Sequence, residues 1–141
     1  MYIVQFLFGY AMAALAWYLN HRFVFHGKLG KLPILKEFKS LHTIHHRKAY
    51  ATDRNEYILI PAWGHTLLLC ISAPVLYLSW AMWLGCVCFA VVYGLRHYRM
   101  HNGDTDSAYG RHHFLHHTTH PMHNFSGVHP IIDKIFKTDV K

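Results

Sequence analysis

Charge is missing from two long stretches of this chain. Residues 1–19 and 57–95 contain no Asp, Glu, Lys or Arg, so every charged side chain of the 141 residues lies in 20–56 or 96–141. Separation this clean divides a chain between lipid and water and argues against a soluble domain. Carboxylates are scarce everywhere, with 7 Asp and Glu against 14 Lys and Arg and a net charge of +7 with His neutral. The two Glu, Glu37 and Glu56, begin no Glu-x-x-His, which excludes the carboxylate-bridged dimetal bundle. The three cysteines, Cys70, Cys86 and Cys88, all sit in the apolar stretch and form neither a disulfide framework nor an iron–sulfur ligand set. There is no CxxCH haem attachment motif, no GxGxxG nucleotide loop, and no recognition helix or RNA-binding motif. The basic balance therefore reads as residues flanking membrane spans, with no nucleic acid partner.

What is present first is hydrocarbon. Residues 2–19 are a continuous apolar run, and about 18 residues at roughly 1.5 Å each nearly cross a bilayer core. No basic residue precedes the run and His21 and Arg22 follow at once, so an uncleaved anchor helix is expected. Residues 57–95 are long enough for two spans. Pro74 near the middle predicts a break there and a hairpin of 58–74 and 76–95. Three spans place 20–56 and 96–141, with all fourteen Lys and Arg, on one face, which the positive-inside rule makes cytoplasmic. The expectation is an all-α integral membrane helical bundle with a cytoplasmic histidine-rich helical cap, a single domain over 1–141.

Histidine is the other abundance: 15, of which only His65 lies in an apolar stretch. Ten of the rest fall into ligand-like spacings. His21 and His26 form HxxxxH. His42, His45 and His46 form HxxHH, as do His113, His116 and His117. His97 and His101 form HxxxH. Residues three and four apart share a helical face, so each HxxHH group aims three imidazoles one way. His21 and His26 diverge by about 140° on an α-helix, so they hold different sides of one site or the helix unwinds between them. Ten imidazoles exceed what one zinc takes, and two metals with about five nitrogens each fit better. Imidazole suits Fe, Zn, Cu and Ni alike. Asp53, Asp104 and Asp106 are available to hold ring N–H groups. His112 adjoins a box on a different face, and Phe23, Phe25, Tyr98 and Phe114 between the ligands are expected to dry the site.

HRFVFH at 21–26, LHTIHH at 41–46, HYRMH at 97–101, HHFLHH at 112–117 and the tail NFSGVHPIIDKIFKT at 124–138 together resemble the histidine boxes and closing segment of the fatty acid hydroxylase (sterol desaturase) superfamily. The spacing is most similar to the fatty acid 2-hydroxylases. The resemblance implies two iron ions held by His21, His26, His42, His45, His46, His97, His101, His113, His116 and His117, with His120 a further or outer ligand. Zinc is expected to replace iron in purified protein. It implies an oxidoreductase: a di-iron monooxygenase that hydroxylates a fatty acyl chain next to its carbonyl, using O2 and two electrons. A carotenoid-ring or sterol oxygenase, or a non-catalytic metal-binding membrane protein, are the alternatives. With no redox cofactor motif of its own, the chain needs a separate cytochrome- or ferredoxin-like carrier and its reductase. The membrane is a bacterial cytoplasmic membrane or the endoplasmic reticulum.

Overall fold

The computed structural model describes residues 1–50 and 62–141, with side chains from residue 66 onward in the second stretch. The expected start of a span at residue 58, Asp53 and Arg54 lie outside the described residues, as does the side chain of His65. The described chain is helical, with no strand among these residues: α1 (Tyr2–Asn20), α2 (Lys36–Lys48), α3 (Ala62–Leu78), α4 (Trp80–His101), α5 (Ala108–Thr118) and α6 (Pro130–Ile135).

Among the described residues, two helices are long and apolar enough to cross a membrane: Tyr2–Phe25, which is α1 with one further turn, and α4. They pack side by side. Tyr2 meets Trp80 at 5.2 Å between ring centroids, Tyr10 meets Phe89 at 5.6 Å, and Trp17 meets Tyr93 at 4.2 Å. Both numbers rise together, so the helices run parallel. Glycine permits the contact: a Cβ on Gly9 would lie 2.0 Å from the Met82 carbonyl oxygen, and one on Gly85 would lie 2.1 Å from that of Phe6. Small residues at such crossings bring backbones together where lipid supplies no hydrophobic drive between helices. The outward face of α1 carries Ile3, Val4, Leu7, Phe8, Met12, Leu15 and Leu19, all exposed. A stripe of that size facing water would be untenable, and facing acyl chains it is ordinary.

The hairpin turns later than Pro74 predicts. Pro74 lies inside α3, and the break is at Ser79, extended at φ −163° and ψ 117°. Proline removes only its own N–H and the helix re-forms beyond it. Ser79 supplies what a new helix needs, because its Oγ accepts from Met82 N at 3.2 Å and caps α4. α3 lies against α4 through Trp83 Nε1–H, which donates to Ser72 Oγ at 3.0 Å. α3 is shorter than the two candidate spans, and its described side chains are largely exposed.

Because α1 and α4 are parallel, both deliver their C-terminal histidines to the same end of the bundle. There α2, α5 and the tail cover them. Lys39 Nζ donates to the Gly27 carbonyl at 2.9 Å and ties α2 to the turn after α1. The tail docks under α1, with Tyr18 wholly buried, stacked on Phe136 and joined to Thr138 Oγ1 at 3.1 Å. Val128 completes a core with Ala14, Phe89, Tyr93 and Met100.

Candidate metal centre

The four boxes meet in two groups of five. His21, His26, His42, His46 and His116 form one, and His45, His97, His101, His113 and His117 form the other. Within each group one ring nitrogen per residue lies within 4.8 Å of all the rest. All ten sequence-named histidines are therefore brought together, but each HxxHH box is divided. His42 and His46, one turn apart on α2, face the first group, while His45 faces the second. His113 and His117 on α5 face the second group, while His116 faces the first. The groups share a wall, with His46 stacked on His117 at 4.1 Å between centroids.

A local change of helix type joins the first box. Residues His21–Phe25 form a π-turn, and His26 N–H donates to the His21 carbonyl at 3.0 Å. Bonding five residues back brings positions five apart onto one side, so the predicted divergence is removed. The His21 and His26 rings lie 5.0 Å apart. Unwinding between them is the alternative that the chain takes.

The nitrogens are spaced as ligands around a cation. His42 Nε2 lies 3.1 Å from His21 Nε2 and 2.9 Å from His26 Nε2, and His101 and His113 approach at 2.9 Å through their Nε2 atoms. Two metal bonds of roughly 2.1 Å meeting at a right angle would put nitrogens about 3.0 Å apart. His42 has one Nε2 proton at most, so hydrogen bonding cannot fully satisfy both neighbours. His46 Nε2, His116 Nε2 and both ring nitrogens of His117 are buried with no hydrogen-bond partner among the described residues. Left so, each would cost about 1–3 kcal/mol. The donor set is entirely imidazole, which suits transition metals such as iron or zinc.

Six of the box imidazoles are held neutral, as ligands must be. Burial, with His46 and Lys39 nearby, brings His26 down to about 3. Burial with His116 and His45 does the same for His46, and burial with His26 for His116. His42, His113 and His117 are pushed well below the ordinary histidine range, first by burial and then by neighbouring imidazoles.

Backbone carbonyls of the tail orient two of the grouped histidines. His21 Nδ1–H donates to the Phe125 carbonyl and His116 Nδ1–H to the His123 carbonyl at 2.6 Å, which turns both Nε2 atoms inward. Of the carboxylates named from sequence, Asp104 instead accepts from Ser107 N at 3.2 Å at the start of α5, and Asp106 is exposed; neither reaches a box histidine. His120 bonds Thr119 Oγ1 at 2.7 Å and joins neither group. A carboxylate not named from the sequence as a histidine partner, Asp133, bonds His112 at 3.0 Å. The drying aromatics also differ. Phe25 stacks on His42 at 4.7 Å, but Phe23, Tyr98 and Phe114 are exposed, because residues between same-face ligands point away from them. The ring walls are instead Trp17 and Phe125 beside His21, Tyr93 stacked on His97 at 5.2 Å, and Tyr50 at 4.5 Å from His101.

Two parallel apolar helices bring four box histidines to one end of a bundle, and α2 and α5 bring six more, which describes a membrane-type helical protein with two histidine groups that could hold metal ions. The fatty acid hydroxylase family model matches residues 6–138, and the chain belongs to that family. Membership points to a lipid-oxidising oxidoreductase. No match was found among curated proteins or among solved structures.

Proposed function

We propose that this chain is an O2-dependent di-iron hydroxylase of membrane lipid, and that its reaction is 2-hydroxylation of a fatty acyl chain. The observation that carries the reading is the pair of five-histidine groups at the shared end of two apolar helices, where an acyl chain reaches them without leaving the bilayer. His21, His26, His42, His46 and His116 would hold one ion, and the other five histidines its neighbour. Bound there, the metals would supply the activation of O2 that side-chain acid–base chemistry cannot. The balance is one C–H, one O2, two electrons and two protons giving one C–OH and one water.

The protein's own part is binding and exclusion. Aromatic rings around both groups keep water out. Trp17 Nε1–H is buried with no hydrogen-bond partner among the described residues, and its ring adjoins His21 and Tyr93. It is the donor we assign to the acyl carbonyl oxygen, which would set the carbon beside that carbonyl against the metal centre. α3 makes a third crossing, because parallel α1 and α4 require the chain to return between them. The histidine end faces the cytoplasm, where the basic residues lie. Electrons arrive from a separate acidic carrier that meets Lys36, Arg47 and Lys48 on α2.

The test is mass spectrometry of lipids from cells with and without the chain, grown under labelled O2, with His116→Ala as control. Labelled 2-hydroxyacyl chains dependent on His116 are expected. Label in rings or sterols would move the substrate to the carotenoid or sterol class. Bound metal with no labelled product would overturn the enzymatic reading.

A further inference from the structure

Asp133 is wholly buried, and both its oxygens are saturated by donors. Oδ1 accepts from Phe125 N and Thr138 Oγ1, each at 2.8 Å, and Oδ2 accepts from Ser126 N at 2.8 Å and His112 Nε2 at 3.0 Å. The turn so gripped is the one whose carbonyls take the Nδ1 protons of His21 and His116. Asn124, left-handed at φ 58°, closes the other side: its side chain donates to the His112 carbonyl at 3.0 Å and accepts from Val140 N at 2.8 Å. Both oriented histidines belong to the same group, and no tail carbonyl among these bonds reaches the other five.

We propose that Asp133 is a positioning residue that acts selectively on one of the two metal sites: through the 123–126 turn it fixes the tautomer and direction of His21 and His116, members of one five-histidine group. The proposal rests on the reading that the two groups bind metal. Its chemistry is that of an outer hydrogen-bond partner, whose removal typically weakens metal affinity roughly 10- to 100-fold. Asp133→Asn is the informative change, because four donors face the carboxylate. The hydroxyl of Thr138 and the ring of His112 can reverse their roles, but Phe125 N–H and Ser126 N–H cannot. Whichever way the amide turns, one backbone donor is stranded and the turn loosens.

The experiment titrates zinc alone into chelator-treated, detergent-purified wild type, Asp133→Asn and the milder Thr138→Val. Histidine acylation is mapped by mass spectrometry at each step. Two tight equivalents are expected for wild type; none would sink the metal reading itself and this inference with it. For Asp133→Asn, one equivalent should stay tight and the other weaken roughly 10- to 100-fold. His21 and His116 should then be acylated at one equivalent while His97 and His113 stay protected. Thr138→Val should show the same asymmetry, smaller. Equal weakening of both sites, or unchanged affinities, in Thr138→Val would overturn the selectivity even if Asp133→Asn fails to fold.

Discussion

At the scale of single residues, ligand chemistry depends on imidazoles that stay neutral under burial. His26, His46 and His116 are held at about 3, whereas an unfolded histidine titrates near 6.5. Between those values the unfolded chain takes up protons that the folded chain refuses, so stability rises with pH across the interval. Asp133 acts in the same direction. Burial pushes its carboxyl up, but the hydrogen bonds from His112, Ser126 and Thr138 outweigh burial and hold it below the usual range, so its contribution is lost only as pH falls through the acid end. Metal-free protein should therefore show an unfolding temperature that declines steadily below about pH 6.5, and a flat profile down to pH 4 would contradict the neutral assignment. Trp17→Phe should retain both metals but lose on the order of tenfold in kcat/KM, the worth of one hydrogen bond. Unchanged kinetics would remove Trp17 from substrate binding. The ten grouped histidines were legible because imidazoles at helical spacing carry their own signal. Asp133 was not, because it lies far along the chain from the box histidines it influences. The carbonyls it places belong to Phe125 and His123, and any residue type offers a carbonyl.

Elements determine how those residues meet. HxxHH announced a shared face on α2 and α5 but not its division, since His45 and His46 differ by only about 100° around the axis and the neighbours decide which site each enters. The π-turn at His21–Phe25 was left open by the sequence and closed by the fold. Pro74 misled because one lost backbone bond does not end a helix, and the capping hydroxyl of Ser79 marked the true break. The parallel α1–α4 contact rests on glycine. Gly9→Leu would drive a side chain into the Met82 backbone, and the expected result is loss of stably purified protein or an unfolding temperature lower by roughly 5 °C or more. Gly94→Ala is the paired control, because a Cβ there meets nothing within 4 Å. That change should alter stability by no more than about 1 kcal/mol. Similar damage from both substitutions would mean that helix contact is not what Gly9 provides.

For the whole molecule, the charge-free stretches made a membrane protein legible, and the described structure adds the parallel sense of its two candidate spans. A reporter after Lys141 should be cytoplasmic and one before Met1 on the opposite side. Finding both on one side would mean an even number of crossings and would remove α3 as the return span. Catalysis should stop after no more than one turnover per site without an added acidic electron carrier and its reductase. Restored turnover should slow as salt screens the encounter with Lys36, Arg47 and Lys48. Sustained turnover with a nicotinamide reductant and no partner protein would dispose of that docking face.

The division of the boxes also sets an order of events during synthesis. Once residues through His46 have emerged, His21, His26, His42 and His46 are all available, four of the five members of one group. Four nitrogens are what a closed zinc site takes. The fifth, His116, arrives only with α5, as do His113 and His117 of the other group. A half-made chain thus offers four nitrogens that could hold zinc before all ten histidines are present, and zinc binds imidazole more tightly than ferrous iron. For an iron-dependent member of this family, correct loading becomes a race between translation and the local supply of zinc.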